Sequence, residues 1–261
     1  MNNLTIIKIG GNVIDNPDVL ARFLTAFAQL PGRKILVHGG GKIATQVAEK
    51  LGVTTTMIDG RRITDQPMLD VVTMVYGGLV NKQIVAKLQA LDVNAIGMTG
   101  ADAGTVLAHK RPVGNIDYGL VGDIDEVDSG QIGFFLRQSL TPVFAPITHG
   151  KAGELFNTNA DTMASAIAAD MAHHNEVTLV YCFEKKGVLA DPTDDDSVMP
   201  ILTPTLYSEQ KSAGSINKGM IPKLDNAFNA LENGVSRVVI CHANELTAAV
   251  LGQGAGTTLQ K

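Results

Sequence analysis

Two glycine-rich turns follow the first two predicted strands of this 261-residue chain. The first strand ends just after Lys8 and is followed by Gly10 and Gly11. The second strand is followed by a turn that contains Gly40 and Gly41. Glycines at the carboxyl ends of parallel strands let backbone N–H groups approach an anion, because no Cβ stands in the way. Two such turns at adjacent strand ends predict a shared anion pocket, with Lys8 as a point charge beside it. Each turn taken singly is equally compatible with a tight strand-to-helix connection.

Neither turn matches a common phosphate-binding motif. A Walker A motif needs Gly-Lys followed by Ser or Thr, but Lys42 is followed by Ile43. The glycine spacing also departs from the Gly-x-Gly-x-x-Gly turn of dinucleotide-binding folds. The usual phosphate-binding motifs are thus absent, and a different nucleotide-binding fold has to be considered.

Two further segments place charged side chains at the start of a predicted helix. In the first, Asn159 is interpreted as the helix cap and Asp161 as an acid at the positive helix end. The other interpretation is that Asn157 donates to a ligand, while Asp161 faces a pocket and holds cations in place. Lys223 lies in the first turn of a later helix, where a cation is unfavourable. It indicates either a bound anion or a side chain that points to solvent.

Arg62 has a rigid, planar guanidinium that can hold a carboxylate through two hydrogen bonds. A surface ion pair with Asp65 is the alternative. No metal site is predicted from the side chains. The acidic turn at residues 191–196 is typical of a solvated loop, and His173 and His174 have no third ligand at a suitable spacing.

The order of predicted elements is that of an α/β protein. Short apolar runs predict strands at residues 4–9, 34–38, 143–147, 177–183 and 237–241. Periodic stretches predict helices at residues 17–30, 43–51, 67–91, 159–172 and 220–233. Strands that alternate with helices predict parallel pairing and right-handed crossovers, with helices on both faces of the sheet. The pattern of residues 106–127 predicts a β-hairpin. The long helix predicted at residues 67–91 is interrupted by Gly77 and Gly78.

The composition is that of a globular chain that binds small ligands. Apolar residues make up 45% of the chain and charged residues 18%, which suffices for a full core. A net charge of −5 argues against general nucleic-acid binding, because phosphate neutralisation is the main source of that affinity. The longest apolar stretch, residues 71–80, is too short to cross a bilayer.

The cysteines and the N-terminal residues predict a cytoplasmic protein. Cys182 and Cys241 lie far apart in the sequence, which excludes a disulfide framework and a thiolate zinc site. Such sparse cysteine usage fits a reducing compartment. The first residues lack the basic and apolar regions of a secretory signal.

Five motifs occur in the order and spacing of a known family. They are Lys8-x-Gly-Gly, His38-Gly-Gly-Gly, Gly60-Arg-Arg-Ile-Thr, Asn157-x-Asn-Ala-Asp161 and Gly219-Met-Ile-Pro-Lys223. Together they resemble the amino acid kinase family over essentially the whole chain. The resemblance implies a three-layer αβα sandwich with a mostly parallel central sheet. It also implies an N-terminal lobe, residues 1–170, for acylglutamate binding and dimerisation, and a C-terminal lobe, residues 171–261, for ATP.

The resemblance assigns roles position by position. The two lysines would stabilise the transferring phosphoryl group and the Asp would orient them, which makes the catalytic set Lys8, Lys223 and Asp161. The acylglutamate-binding set that it implies is Gly40, Gly41, Arg62 and Asn157. The nucleotide-binding set is Gly10, Gly11, Glu184, Gly187 and Met220, with Gly11 as a backbone donor to phosphate. Glu184 departs from the family, which usually has Asp at this position.

Within the family, the resemblance is closest to members that phosphorylate the γ-carboxylate of N-acetyl-L-glutamate in arginine biosynthesis. It implies ATP as co-substrate, with Mg²⁺ held mainly by the ATP phosphates. The alternatives are the same chemistry on N-succinylglutamate, or a non-catalytic nucleotide or amino-acid sensor. A homodimer across the long helix is also implied. Because only residues 1–3 precede the first predicted strand, where arginine-inhibited hexameric members carry an extra helix, little response to arginine is expected.

Overall fold

A computed structural model of the chain describes residues 2–58, 60–191, 193–216 and 219–261. The strands are β1 (Asn2–Ile9), β2 (Arg33–His38), β3 (Met57–Ile58), β4 (Arg61–Arg62), β5 (Ala95–Met98), β6 (Val106–Lys110), β7 (Gly122–Val127), β8 (Thr141–Phe144), β9 (Ile147–His149), β10 (Leu155–Asn157), β11 (Asn175–Phe183), β12 (Ile201–Leu202), β13 (Arg237–His242) and β14 (Thr257–Leu259). The α-helices are α1 (Gly11–Ile14), α2 (Pro17–Gln29), α3 (Gly41–Lys50), α4 (Gln66–Val72), α5 (Asn81–Gln89), α6 (Ser129–Arg137), α7 (Ala160–Met171), α8 (Pro204–Ser212), α9 (Ile221–Glu232) and α10 (Leu246–Val250).

The chain forms two compact units that do not follow a single cut in the sequence. Unit 1 consists of Met1–Ile35 together with Ala164–Lys261, and unit 2 consists of Leu36–Met163. The N-terminal segment therefore belongs with the C-terminal third of the chain. The assignment of substrate and ATP binding to lobes divided near residue 170 stays a prediction.

Unit 1 is built on strands in the order β12-β14-β13-β11-β1. β1 pairs in parallel with β11 over the whole length of β1, from Asn2 opposite Asn175 to Ile9 opposite Cys182. The remaining neighbours are parallel except β13 and β14. The apolar runs that predict these strands are buried on both faces, as is typical of parallel sheets covered by helices. The predicted mostly parallel α/β class is confirmed.

Unit 2 contains the end of β2, from Leu36, which pairs in parallel with β8 next to β5, and a second, four-stranded set in the order β10-β9-β6-β7. The hairpin predicted at residues 106–127 is confirmed, because β6 and β7 pair antiparallel. The single strand predicted at residues 143–147 is wrong. β8 ends at Phe144 and β9 begins at Ile147, because Pro146 lies between them and has no N–H to donate to a ladder.

The long helix predicted at residues 67–91 is continuous but changes its winding. Asp65 caps α4 by accepting a hydrogen bond from Met68 N at 3.0 Å. The middle segment, Thr73–Val80, is a π-helix that contains both predicted interruptions, and α5 follows directly. Within the residues that the structure describes, no helix is long and apolar enough to cross a membrane.

The two cysteines lie against each other although they are distant in the sequence. Cys182 and Cys241 occupy opposite positions on the neighbouring strands β11 and β13, and their Sγ atoms are 3.7 Å apart. Both are free thiols and both are buried. The neighbouring Cys241 thiol and burial raise the pKa of Cys182 well above its usual value. Buried neutral thiols of this kind act as small apolar core residues.

Candidate functional site

The first glycine turn of unit 1 lies beside the Lys8 ammonium. Lys8 is the penultimate residue of β1 and only 8% exposed. A Cβ placed on Gly10 would be 3.9 Å from Lys8 Nζ, so the amine lies over the backbone of the turn. Gly10 N donates to Cys182 O at 3.3 Å, which anchors the turn to β11. Gly11 then begins α1. The structure therefore brings Lys8 and the two predicted glycines together.

Lys223 lies in the first turn of α9, as predicted, and Met220 directly precedes this helix. The start of α9 is held by neighbouring helices. Tyr207 of α8 donates to Asp225 Oδ1 at 2.6 Å, and Ser165 of α7 donates to Asn226 O at 2.8 Å. Because these bonds fix the first turns of α9, the Cα of Lys223 has a defined place in unit 1.

Glu184 and Gly187 follow β11 and have different environments. Glu184 is exposed, whereas Gly187 is buried. A Cβ on Gly187 would be 2.7 Å from Thr257 Oγ1, and this same hydroxyl accepts a hydrogen bond from Val188 N at 2.8 Å. Close packing against Thr257 therefore requires glycine at position 187, and nucleotide binding by both positions stays a prediction.

The second glycine turn forms the N-terminus of α3 in unit 2. Gly40 O accepts from Ala44 N at 3.0 Å, and Gly41 is the first helical residue. The N–H groups at a helix start have no partner within the helix, which makes this end suited to a carboxylate. A Cβ on Gly40 would be 3.0 Å from Cδ1 of Tyr76, so a side chain at this position would clash with the ring.

Arg62 is buried beside this helix start rather than paired at the surface. Its Nη2 donates to Gly41 O at 2.8 Å and to Thr45 Oγ1 at 3.0 Å. Asp65, the alternative partner considered from the sequence, caps α4 instead. The structure thus places the Arg62 guanidinium against the predicted substrate glycines. A helix N-terminus and a guanidinium together can bind a carboxylate by charge-assisted hydrogen bonds.

Asn157 and Asp161 occupy successive parts of the same segment. Asn157 Nδ2 donates to Thr64 Oγ1 at 3.0 Å, which ties the end of β10 to the chain next to Arg62. Asn159 caps α7, because its Oδ1 accepts from Asp161 N at 2.8 Å. Asp161 lies in the first turn of this helix and is only 6% exposed. The capping role predicted for Asn159 is confirmed.

Tyr76 is a residue of this region that the sequence reasoning missed. Its ring packs against Gly40, and its hydroxyl is 4.0 Å from the place of a Cβ on Gly41. Burial raises the pKa of Tyr76, and the charge of Arg62 partly opposes this rise. Tyr76 lies in an apolar stretch, Val71–Val80, whose pattern indicates only a buried helix. No local signal distinguishes it from a core residue.

His38 ends β2 and is fully buried next to the second glycine turn. Burial lowers its pKa from 6.5 to about 4, and Lys82 acts in the same direction, while a hydrogen bond to the Gly39 backbone opposes the shift. In the unfolded chain the ring takes up a proton near pH 6.5. Stability linked to His38 is therefore complete above pH 6.5 and is lost as the pH falls toward 4.

We expect the free energy of unfolding to fall by about 1.4 kcal/mol per pH unit across this window because of His38. Urea unfolding of the wild type and of His38→Asn, which does not titrate there, measures the difference. The wild type should lose stability more steeply than the variant on acidification. Equal pH slopes for the two proteins would contradict a buried neutral imidazole.

Known proteins resemble this chain over nearly its whole length. The sequence profile described as the amino acid kinase family matches residues 3–242. The chain belongs to the amino acid kinase family. An acetylglutamate kinase from Cytophaga hutchinsonii is 56% identical over 251 residues, covering 96% of this chain and 95% of that protein. An acetylglutamate kinase from Phocaeicola vulgatus is 52% identical and covers 99% of this chain and 98% of that protein.

A solved structure of another protein supports the same family fold. The crystal structure of smu.665 from Streptococcus mutans superposes with a TM-score of 0.81 at 27% identity, covering 98% of both chains. The amino acid kinase fold predicted from five motifs is confirmed. Membership in a kinase family implies ATP as co-substrate of this chain.

Proposed function

We propose that this chain transfers the γ-phosphoryl group of ATP to the γ-carboxylate of N-acetyl-L-glutamate, giving an acyl phosphate and ADP. The observation that carries the proposal is the near full-length identity of about half or more to several acetylglutamate kinases. The helix start with Arg62 in unit 2 supports it, because the substrate carries two carboxylates. Such a reaction serves arginine biosynthesis and takes place in the cytosol, where ATP is available.

The chemistry needs charge stabilisation more than proton transfer. A γ-carboxylate has a pKa of about 4.3 and is already an anionic nucleophile at neutral pH, so no general base is required. The barrier comes from bringing this anion to a polyanionic phosphate. Cations and backbone N–H groups lower the barrier by stabilising charge on the transferring phosphoryl group. Lys8, Lys223 and the N–H of Gly11 are the groups that we assign to this task, with Asp161 as the carboxylate that orients the lysines.

We assign the acylglutamate α-carboxylate to Arg62, with Asn157 and the N–H groups of Gly40 and Gly41 as further donors. The guanidinium is already held in place by Gly41 O and Thr45 Oγ1. A pre-positioned fork loses little side-chain entropy when the substrate binds. The nucleotide is assigned to Gly10, Gly11, Glu184, Gly187 and Met220.

Mg²⁺ is proposed to enter with ATP and to be held mainly by phosphate oxygens and water. Among the residues that the structure describes, no group of three or more His, Cys, Asp or Glu side chains is arranged to hold a metal ion. Mg²⁺ in kinases commonly keeps several waters and binds substrate phosphates. When bound, the ion neutralises charge on the phosphates, while the side chains named above orient the reactants.

The deciding experiment is a coupled ADP-release assay with purified protein, ATP and Mg²⁺. N-acetyl-L-glutamate should support turnover, while free glutamate, aspartate and carbamate should not. N-succinyl-L-glutamate belongs in the same panel. Faster turnover with it would identify the succinyl compound as the substrate of the same phosphoryl transfer. Equal rates with free glutamate would reject the proposal. Binding of ATP without turnover on any acceptor would indicate a sensor.

We further propose a homodimer formed through the long helix of unit 2. Met74 and Leu79 lie on its π-helical segment and are 54% and 45% exposed. Light scattering should therefore give a mass twice that of the 27.5 kDa chain. Replacing both side chains by Lys should shift the mass to that of one chain, because exposed apolar area is what such a contact buries. A hexameric mass would contradict this proposal.

A further inference from the structure

We propose that His38 is a positioning residue that orients the backbone N–H of Gly40 toward the acylated amino acid. The inference rests on the proposed function, in which Gly40 and Gly41 bind this substrate. It goes beyond the motif match, because the resemblance assigns no task to the His that precedes the glycines. Three observations support the proposal: the hydrogen bonds of the imidazole, the geometry of the next peptide and the anchoring of Asn81.

The hydrogen bonds of His38 determine which ring nitrogen carries the proton. Nδ1 lies 2.7 Å from Gly39 O, and a carbonyl can only accept, so Nδ1 is the donor. Nε2 lies 3.0 Å from Asn81 Nδ2, and an amide nitrogen can only donate, so Nε2 is the acceptor. Both bonds are made only by the neutral ring protonated at Nδ1. A second proton on Nε2 would face the Asn81 amide hydrogen.

The bond to Gly39 O also determines where the N–H of Gly40 points. The carbonyl of Gly39 and the N–H of Gly40 belong to one planar trans peptide unit, in which they point in opposite directions. Holding the oxygen on His38 therefore directs the N–H away from the imidazole. The next N–H, that of Gly41, is set in the same way by the bond from Ala44 N to Gly40 O. One donor is thus fixed by α3 itself and the other by His38.

Asn81 is held so that it cannot follow a movement of the ring. Its Nδ2 also donates to Val143 O at 2.9 Å, and its Oδ1 accepts from Lys82 Nζ at 3.1 Å. Lys82 Nζ donates in turn to Gly97 O at 3.0 Å. A Cβ on Gly97 would overlap the Asn81 side chain, so glycine is required there. The Nε2 side of the imidazole is therefore anchored to the sheet of unit 2 through Asn81, while Nδ1 holds the glycine turn.

The test compares His38→Leu with His38→Asn. Both side chains branch at Cγ as His does, but only Asn places an N–H donor at the δ position. We expect the KM for N-acetylglutamate to rise about tenfold or more in His38→Leu, equal to the loss of one good hydrogen bond. In His38→Asn it should stay within about threefold of the wild type. The KM for ATP should change by less than about twofold in both variants.

A matched control is Thr105→Val, which removes a buried hydroxyl of unit 2 whose single hydrogen is shared among Thr99 O, Gly100 O and Asp102 O, all within hydrogen-bond distance. It costs stability but should leave both KM values unchanged. The proposal would be overturned if His38→Leu and His38→Asn had the same KM for acylglutamate. It would also be overturned if the KM for ATP rose in His38→Leu as much as the KM for acylglutamate.

A measurement on the wild type covers the case in which a variant fails to fold. Nitrogen-15 NMR should show a neutral His38 ring protonated at Nδ1 between about pH 5 and 8. A ring protonated at Nε2 would overturn the proposal. Absence of turnover by the wild type on any acylglutamate would instead reject the proposed function, so the two failures are distinguishable.

Discussion

Replacing Lys8 by Met is expected to lower kcat by about a hundredfold to a thousandfold, the usual effect of removing one donor that stabilises transition-state charge. The unbranched Met side chain fills most of the volume of Lys, which is buried, so the fold should persist. The amine lies over the Gly10 turn, to which we assign the transferring phosphoryl group. The KM for ATP should change much less than kcat, because the interaction is strongest in the transition state. Steady-state ADP release measures both.

Lys34→Met is the matched control for this variant. Lys34 is also 8% exposed and belongs to unit 1, but its Nζ donates to Ala28 O at 2.7 Å and Leu30 O at 2.9 Å at the end of α2. Its loss leaves two carbonyls without a donor and should cost about 1–3 kcal/mol of stability with no change in kcat. If Lys8→Met kept the wild-type kcat, Lys8 would not belong to the phosphoryl-transfer machinery.

Replacing Arg62 by Lys is expected to raise the KM for N-acetylglutamate by about a hundredfold, which corresponds to a loss of about 2.7 kcal/mol in binding. The substitution keeps the positive charge but removes the planar fork. A Lys amine cannot donate to Gly41 O and Thr45 Oγ1 and also hold a carboxylate in two places. The KM for ATP should stay close to that of the wild type, because the proposed contact of Arg62 is with the acylglutamate and not with the nucleotide.

The neighbouring Arg61 provides the control for this prediction. It lies on the same short strand, β4, but its side chain is exposed. Arg61→Lys should leave both KM values unchanged, since exposed cations are exchanged at little cost. An effect of Arg62→Lys on the KM for ATP as large as that for acylglutamate would show that the fold, rather than a carboxylate contact, depends on the guanidinium.

The strands and turns that carry Lys8, Gly40 and Gly41 could be predicted from the sequence because local physics determines them. β1 and β2 contain short runs of β-branched and apolar residues followed directly by glycines, and their short length favours strands over helices. The capping by Asn159 was predictable for the same reason, since its side chain bonds N–H groups two and three residues away.

Features that depend on contacts between distant segments could not be predicted. Tyr76 packs on Gly40 only because the long helix crosses the start of α3, and no spacing rule reveals this contact. The pairing of Cys182 with Cys241 follows from the register of β11 and β13, which sequence separation does not indicate. Helix α6 was missed because Gly130 and Gly133 lower its helix propensity, and β5 because a glycine lies within its four residues.

The association of β1 with the C-terminal third of the chain affects the order in which the protein can fold during synthesis. β1 leaves the exit tunnel first, yet its parallel partner β11 is synthesised only after all of unit 2. Unit 2 is contiguous, so its own strands and helices are available for cotranslational folding much earlier. The pairing of β1 with β11 joins distant parts of the chain, and we expect contacts of such high contact order to form late. We expect the apolar side chains of β1 to be prone to aggregation until β11 has been synthesised.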